Sequence, residues 1–282
     1  MEQDNSVDLR SFGRTLGQRD PDYIRSWMPV AELFARLYFR VRYTGLETVP
    51  QRDPLIFVGN HSGGLSTPDT AMAAHGFWTR FGAEREVYAL VHPEVFRLPK
   101  MARHLARVGG LAASARMAAH VLERGASLLI YPGAGDEAYR PHKEANLVKL
   151  GGNSAYVRLA ISYGAPIVPV VCLGGHDTLI VLDDGRERAR ALGLDELGVE
   201  RVPLVYAWPF GLSLATGYTL PFPVRMDIDF GPPIRLDGFG PRDARDREVI
   251  DWCHAQVERQ MQRTLDRMVE RRKRAGADAQ HR

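Results

Sequence analysis

Residues 55–77 read LIFVGNHSGGLSTPDTAMAAHGF. This segment passes from an apolar block at 55–59 into a glycine-rich turn that contains His61, and then into a helix-like pattern that begins with Pro68 and Asp69. A short buried strand, a turn and a helix in succession form the repeating unit of α/β folds with parallel sheets. The segment therefore indicates one such unit, with a histidine at the end of its strand.

The same alternation recurs along the chain. Apolar blocks typical of buried strands occupy residues 55–59, 86–91, 127–131 and 166–172. Helix-like stretches follow them at residues 69–80, 99–106, 115–124 and 153–163. Strand and helix alternate, and the pattern predicts an α/β fold with a mostly parallel sheet flanked by helices.

The chain divides into four predicted segments. Residues 1–21 are polar and aperiodic, which predicts a loose tail, whereas residues 22–42 have apolar side chains at three- and four-residue spacing, which predicts an amphipathic N-terminal helix. Residues 43–240 hold the strand and helix alternation, and residues 241–282 are charged and predict a C-terminal helix and tail. With 282 residues and 45% hydrophobic content, one large domain is expected.

The alternation becomes irregular after residue 175. Residues 183–198, DDGRERARALGLDELG, are charged and favour a helix, and residues 224–236, VRMDIDFGPPIRL, predict a late strand. Between them, residues 203–223 are apolar but interrupted by prolines and glycines. That segment is too interrupted to cross a membrane.

Composition excludes several classes of protein. A net charge of only +3 gives little support for nucleic-acid binding. Cys172 and Cys253 form neither a disulfide framework nor a metal knuckle, so both are predicted to be thiols in the core. No run approaches 18 apolar residues, and the first twenty residues lack the apolar centre of a secretory signal. A cytosolic or peripheral protein is expected.

Three predicted strands end in polar residues and glycines. His61 follows the first of these strands, the segment PGAGDEAYR at 132–140 follows the second, and GGHD at 174–177 follows the third. Because the carboxyl ends of parallel strands meet at one edge of a sheet, we expect the three loops to form one site.

The histidine and the following aspartate allow a general base. A neutral imidazole accepts a proton near pH 7, and a carboxylate on its other nitrogen fixes the tautomer and stabilises the imidazolium. Asp69 could supply that carboxylate if the turn folds back. The alternative is structural: His61 caps a turn and Asp69 caps the following helix.

Other chemistries have weaker support. The chain lacks the G-x-S-x-G elbow of a serine hydrolase, and Ser62 adjoins His61. The run PGAGDE matches neither a dinucleotide fingerprint nor a Walker loop. Five further histidines show no paired ligand spacing with Cys, Asp or Glu, so no metal site is predicted: His92, His104, His120, His142 and His176.

Four segments resemble the glycerolipid acyltransferases of the lysophosphatidic acid acyltransferase type. They are GNHSGGLSTPD at 59–69, RVGGLAASARMAAHVL at 107–122, LLIYPGAGDEAYR at 128–140 and YGAPIVPVV at 163–171, in the order of the family's sequence blocks. The similarity is greater to the branch that resembles monoacylglycerol and diacylglycerol acyltransferases. It covers roughly residues 40–235, so residues 43–240 are expected to be an acyltransferase domain.

The resemblance implies a histidine and an aspartate that deprotonate an acceptor hydroxyl, which then attacks an acyl thioester. His61 and Asp69 fall on these two positions, but seven residues separate them where the family normally has four. The implied donor is acyl-CoA or acyl-carrier protein. No metal or prosthetic group is implied.

The third block departs from the family pattern. The arginine often taken as a phosphate contact is missing, and only Arg140, Lys143 or Lys149 could replace it. Arg116 matches the acceptor segment loosely and could equally be a solvated helix residue. The glycine loop near 133–135 could offer amides to an oxyanion or a phosphate. The resemblance implies these substrate-binding residues: Ser62, Gly63, Gly64, Arg116, Gly133, Gly135, Glu137 and Arg140.

The sequence therefore predicts an acyltransferase whose acceptor is a glycerolipid or another lipid alcohol. A lysophosphatidic acid or lysophospholipid acyltransferase, a lipid hydrolase and a non-catalytic lipid-binding protein are the alternatives. We expect a cytoplasmic protein, peripheral to the inner face of the membrane, with no nucleic acid among its partners.

Two segments are candidates for contact with a membrane surface. Residues 24–41 have a wide apolar arc flanked by arginines, although this face could instead pack on the sheet. Residues 203–223 carry five aromatic side chains of the kind that favour the headgroup region: Tyr206, Trp208, Phe210, Tyr218 and Phe222.

Overall fold

A computed structural model of the chain describes residues 11–52, 54–214 and 219–280, with side chains as far as residue 278. The main sheet has seven strands: β1 (Arg42–Thr44), β2 (Ile56–Gly59), β3 (Val87–Val91), β4 (Gly110–Ala112), β5 (Ser127–Ile130), β6 (Ile167–Leu173) and β10 (Asp227–Phe230). Their spatial order is β1, β10, β6, β2, β5, β3, β4. The central strand is β2, which lies between β6 and β5.

Most of this sheet is parallel. Strands β6, β2, β5, β3 and β4 run in one direction, and β10 pairs antiparallel to β6 while β1 pairs parallel to β10. Val58 lies beside Ile130 on one side and Pro169 on the other. The predicted α/β fold with a mostly parallel sheet is confirmed.

In the described part of the chain, eight α-helices accompany the strands: α1 (Pro21–Leu33), α2 (Pro68–Phe81), α3 (Pro99–Arg107), α4 (Ala115–Glu123), α5 (Ala134–Ala138), α6 (Ala155–Tyr163), α7 (Arg186–Ala191) and α8 (Arg247–Gln280). The four predicted helices within the α/β region and the long C-terminal helix are confirmed as α2, α3, α4, α6 and α8. The short helices α5 and α7 lie in loops.

Apolar layers cover both faces of the sheet. In β2, Ile56 and Val58 pack into the cluster that contains α4, α6 and α8, whereas Phe57 packs into the opposite cluster with Phe77 of α2. Successive side chains of a strand point to opposite faces, so a strand buried on both sides reads as an unbroken apolar run. That is why residues 55–59 are apolar throughout.

A second, smaller sheet was not predicted. It contains β7 (Ile180–Asp183), β8 (Leu204–Ala207) and β9 (Gly211–Leu214), all antiparallel, with β8 in the middle. Four buried side chains form its inner cluster: Leu179, Val181, Val205 and Ala207. This sheet comes from the segment where the sequence pattern became irregular.

The N-terminal prediction needs correction. Residues 1–10 lie outside the described residues, but 11–20 are not a loose tail, because Phe12 and Leu16 are buried and the Leu16 carbonyl accepts a hydrogen bond from Tyr88. The helix predicted at 22–42 is α1, followed by a π-helical turn at Phe34–Tyr38. Helix α1 begins directly after Asp20, whose carboxylate accepts a hydrogen bond from Tyr23 N at 3.0 Å and caps the helix.

The two cysteines confirm the prediction of core thiols. Cys172 and Cys253 are buried and free, in clusters on opposite faces of the sheet. No helix in the described part of the chain combines the length and the apolar character that a bilayer crossing needs.

An ion pair attaches the end of α8 to the sheet. Arg272 donates from Nη2 and Nε to Asp227 Oδ2 at 2.7 and 3.0 Å, and also donates to the carbonyl of Leu173. Arg42 and Arg225 form further ion pairs with the same buried carboxylate. A buried charge needs such partners because its desolvation is costly.

We predict that Asp227→Ala lowers the free energy of unfolding by about 2–3 kcal/mol, since it leaves the arginines around it without their carboxylate. Asp237→Ala is the matched control, because that aspartate is exposed and forms only a 4.0 Å ion pair with Arg235. Urea denaturation followed by circular dichroism measures both. Equal unfolding midpoints for the two variants would show that Asp227 does not hold α8.

Candidate functional site

The exit from β2 is fixed by Asn60. Its side-chain amide donates to the carbonyl of Cys172 at 3.0 Å and its carbonyl accepts from Cys172 N at 2.7 Å. These two bonds continue the pairing between β2 and β6 past the end of the strand, and Asn60 is buried. The backbone position of His61, the next residue, is therefore fixed.

The turn after His61 depends on two glycines. Gly63 and Gly64 have φ angles of +78° and +60°, and Thr67 adopts the left-handed region as well. A Cβ atom on Gly63 would lie 2.6 Å from the ring of Pro68, and one on Gly64 would lie 2.8 Å from Leu179. Only glycine fits both the conformation and the space. The turn reverses the chain and begins α2 beside His61.

His61 and Asp69 form a hydrogen-bonded pair. The distance between His61 Nδ1 and Asp69 Oδ2 is 2.9 Å, and the same oxygen accepts from the backbone N–H of Ser62 at 2.8 Å. Asp69 Oδ1 accepts from Thr70 N at 2.7 Å. Since a carboxylate only accepts, the proton belongs on Nδ1 and the lone pair of the neutral ring on Nε2. No hydrogen bond to Nε2 is present among the described residues.

Burial and charge act in opposite directions on His61. Burial lowers the pKa of its imidazole, but the charge of Asp69, its hydrogen bond and the more distant Glu137 raise that pKa by more, so the pKa lies above the ordinary value. Asp69 is buried, whereas 14% of the His61 side chain is exposed. The pair can thus accept a proton on Nε2 and stabilise the imidazolium that forms.

Tyr131 supports the imidazole from the side of β5. The two rings lie with centroids 4.5 Å apart and planes inclined by 31°. A Cβ atom on Gly59 would lie 2.3 Å from the Tyr131 ring, so this glycine makes room for the tyrosine over β2. Burial raises the pKa of Tyr131 well above its ordinary value, and its phenol stays neutral.

Glu137 ties the loop after β5 to the loop after β2. Its Oε2 accepts from His61 N at 2.9 Å, and its Oε1 accepts from Lys149 N at 3.2 Å. Arg140 pairs with the same carboxyl group at 3.4 Å. Burial raises the pKa of Glu137 to about 7, against the opposing effect of these donors and of Arg140.

Arg140 extends this network to the loop after β6. Its Nη2 donates to His176 Nε2 at 2.8 Å. Burial, and then the charge of Arg140, lower the pKa of His176 to about 3, so this histidine is neutral and can accept. The three strand-end loops predicted to meet are therefore joined by hydrogen bonds.

Some residues predicted to bind substrate form bonds within the protein. Glu137 and Arg140 are buried and bonded within the protein, so they hold the loops and do not face an open site. A Cβ atom on Gly133 would lie 2.6 Å from Glu137 Oε2, which explains the glycine by packing. The amide of Ala134 donates to the carbonyl of Tyr131, so it is not free for an oxyanion.

The remaining residues predicted to bind substrate lie at different distances from His61. Ser62, Gly63 and Gly64 lie in the turn beside the His61 and Asp69 pair, and the Ser62 hydroxyl is buried with no hydrogen bond among the described residues. Gly135 accepts from Arg201 at 2.9 Å through its carbonyl. Arg116 is exposed in the first turn of α4, after the edge strand β4. Two strands separate β4 from β2, a spacing of about 14 Å, and Arg116 forms none of the hydrogen bonds described around His61.

Sequence reasoning missed three members of the site: Asn60, Tyr131 and His176. Asn60 and Tyr131 each occupy the first position after a strand, where the exit direction of the loop is set. His176 lies in the third strand-end loop, and its spacing from other residues indicates no role, because its partner Arg140 is 36 positions away in the chain. Among the described residues, no three His, Cys, Asp or Glu side chains are grouped so as to hold a metal ion.

Proteins of mycobacteria are similar to this chain in sequence. An uncharacterized protein of Mycobacterium leprae is 28% identical over 242 residues, which are 86% of this chain and 63% of that protein. An uncharacterized protein of Mycobacterium tuberculosis is 27% identical over 242 residues, which are 86% of this chain and 65% of the mycobacterial protein. The chain thus spans a little under two thirds of these relatives.

The fold is similar to that of a solved structure, the 1-acyl-sn-glycerophosphate (LPA) acyltransferase PlsC from Thermotoga maritima. The similarity covers 89% of this chain and 83% of that chain, with a TM-score of 0.53 and 16% sequence identity. At this identity the likeness concerns the fold.

A sequence model of one family covers most of the chain. The model describes diacylglycerol acyltransferases and matches residues 14–277, a range that contains the main sheet, the second sheet and nearly all of α8. The His61 and Asp69 pair lies inside it. The chain belongs to the diacylglycerol acyltransferase family.

Proposed function

We propose that this protein is an acyltransferase that moves a fatty acyl group from an acyl thioester to the hydroxyl of a lipid acceptor, with His61 as general base. The observation that carries the proposal is the hydrogen-bonded pair of His61 and Asp69, whose Nε2 has no partner among the described residues. Family membership supports the same chemistry. The donor is acyl-CoA or acyl-carrier protein, and no metal or prosthetic group takes part.

In the proposed reaction, the His61 imidazole first accepts a proton and then returns it. The acceptor hydroxyl gives its proton to His61 Nε2 while its oxygen attacks the thioester carbonyl, and Asp69 stabilises the imidazolium. When the tetrahedral intermediate collapses, the carbon–sulfur bond breaks and the leaving thiolate takes the proton from Nε2. The products are an ester and a free thiol, and His61 returns to its neutral form.

We further propose a neutral acceptor, such as a monoacylglycerol or diacylglycerol. A phosphorylated acceptor brings about two negative charges that need a positioned cation. Of the cations near the site, Arg140 is buried and bonded within the protein, and Lys149 pairs with Glu144. Arg186 and Arg201 are both paired with Asp136. Arg116 and Lys143 are exposed but lie outside this network.

The proposed place of action is the cytoplasmic face of a membrane. A lipid acceptor resides in the bilayer, so the enzyme must approach that surface to reach it. The exposed apolar side chains of α1 and the following turn support this, because Trp27, Leu33 and Phe34 lie on the surface and Arg36 in the same turn is exposed. The protein would act there as a peripheral protein.

We predict that His61→Ala lowers turnover by about 10²- to 10⁴-fold, the usual loss for a general base, while the protein stays folded. Release of free thiol from an acyl thioester, measured with and without an added lipid alcohol, reports the reaction. His120→Ala, a change at an exposed histidine on α4, is the control and should keep full activity. An active, folded His61→Ala protein would contradict the mechanism, and thiol release without an acceptor would indicate a hydrolase.

We predict a pH dependence set by Asp69. A general base must be neutral, and the pKa of His61 lies above about 6.5, so activity is lost as the pH falls through that raised value. Asp69→Asn removes the charge that raises the pKa, so the acid limb of kcat/KM moves to lower pH while the maximal rate falls. Asp177→Asn, next to the half-exposed His142, is the control. An unchanged acid limb in Asp69→Asn would contradict the pairing.

We predict that a neutral acceptor outcompetes lysophosphatidic acid by about tenfold or more at equal surface density, because an unpaired phosphate is costly to desolvate. Mass analysis of the products from mixed vesicles with one acyl-CoA measures the ratio. The opposite preference, abolished by Arg116→Ala or Lys143→Ala, would show that one of these exposed cations binds the phosphate.

A further inference from the structure

The hairpin of β8 and β9 is apolar on both faces. Val205 and Ala207 point inward and pack in the cluster of the second sheet. The outward side chains are exposed: Tyr206, Trp208, Phe210, Leu212, Leu214 and, on the returning segment, Leu220. An antiparallel sheet with one solvated face normally alternates apolar and polar residues. This hairpin does not, so its outward face is adapted to an apolar environment.

Charged side chains are absent from this region in the sequence. Residues 202–224 contain none, and Arg201 and Arg225 stand at the two ends. Phe222 stacks on Tyr206, with ring centroids 5.8 Å apart and planes inclined by 16°, and so fixes the returning segment against the hairpin. Tyr218 and the rest of 215–218 lie outside the described residues. A contiguous exposed apolar patch of this kind marks a protein or membrane contact.

The segment that returns from the hairpin contacts the turn that follows α1, and an exposed apolar stripe runs along α1 and this turn. That stripe contains Trp27, Val30, Leu33, Phe34 and Leu37. Tyr38 joins the two surfaces, because its hydroxyl donates to the carbonyl of Pro221 at 2.6 Å.

The hairpin surface also borders the catalytic turn. The Ser66 hydroxyl donates to the carbonyl of Thr219, and Gly64 packs against Leu179 of the inner cluster. The backbone N–H of Phe222 donates to the carbonyl of Thr178, which precedes β7. Leu65, in the turn itself, is exposed. A bilayer that covers the hairpin would therefore lie beside the turn that carries His61.

We propose that the outward face of the hairpin, 204–214 with 219–222, inserts into the lipid bilayer and sets the catalytic turn at the membrane surface. Trp208 and Tyr206 suit the headgroup region, and the exposed guanidinium group of Arg40, which contacts the carbonyl of Pro223, suits anionic headgroups. The inference rests on the proposed function in one respect: the lipid acceptor of that reaction resides in a bilayer. Binding itself requires no acyl donor and can be measured separately.

The test compares two tryptophan variants on phosphatidylcholine vesicles that contain phosphatidylglycerol. Trp208→Ser/Phe210→Ser should weaken co-sedimentation with the vesicles by about tenfold or more, since it removes two large apolar side chains from the contact. Trp252→Ser on α8 is the matched control, because Trp252 is as exposed as Trp208, at 56% against 51%, but lies on another element. Its co-sedimentation should equal that of the unchanged protein.

Folding and self-association are checked on the same samples. Circular dichroism and the thermal midpoint establish that each variant is folded, and Phe210→Ser/Leu212→Ser serves in place of the first variant if that one does not fold. Unchanged co-sedimentation of a folded hairpin variant would overturn the inference. So would a dimer, seen by size-exclusion chromatography without vesicles, that the variant converts to a monomer while vesicle binding stays the same.

Turnover separates this inference from the proposed function. With a long-chain alcohol in vesicles, the hairpin variant should lose activity in proportion to its lost binding. With a short-chain, water-soluble alcohol, its loss should be much smaller. If the unchanged protein binds vesicles through the hairpin but releases no thiol with any acceptor, the proposed function fails and the membrane contact stands.

Discussion

The arrangement of this site depends on one buried carboxyl group. Glu137 is removed from water, and such a group is tolerated only when donors surround it. The donors come from different places in the chain: the backbone of His61 after β2, the backbone of Lys149, and the guanidinium of Arg140, which in turn reaches His176 after β6. Satisfying one carboxyl group therefore fixes three loops together. The position of His61 is therefore set by the protein itself, as preorganised sites require.

Much of this could be predicted from the sequence, for physical reasons. β2, β5 and β6 are buried on both faces and read as apolar runs, and the long helices follow the 3.6-residue period. β1 and β4 have three residues each and leave no period to detect. The hairpin of β8 and β9 was missed because it is apolar on both faces and interrupted by Pro209 and Gly211. His61 and Asp69 were assigned as a pair from the resemblance to the acyltransferase family, but nothing in a sequence reports that Glu137 and Arg140 are buried.

The longer separation of His61 and Asp69 has a structural counterpart. The intervening residues form a short turn at Gly64–Ser66 between left-handed positions, and Ser66 bonds to the segment that returns from the hairpin. The additional length therefore does not disturb the pairing of the imidazole with the carboxylate. Ser66 of this turn bonds to the Thr219 carbonyl, so the longer turn after His61 meets the irregular segment that returns from the second sheet.

The position of β10 sets an order of events during protein synthesis. β1 pairs in the main sheet with β10 alone, and Thr44 donates to Asp229, 185 positions later in the chain. At roughly 5–20 residues per second, the ribosome needs on the order of 10–40 s to supply that partner. Once β6 (Ile167–Leu173) has been made, β2, β5 and β6 can already associate, and the edge of β6 stays bare until β10 follows. The nascent chain therefore carries an open sheet edge until residues 227–230 emerge, and a chaperone could bind that edge during this period.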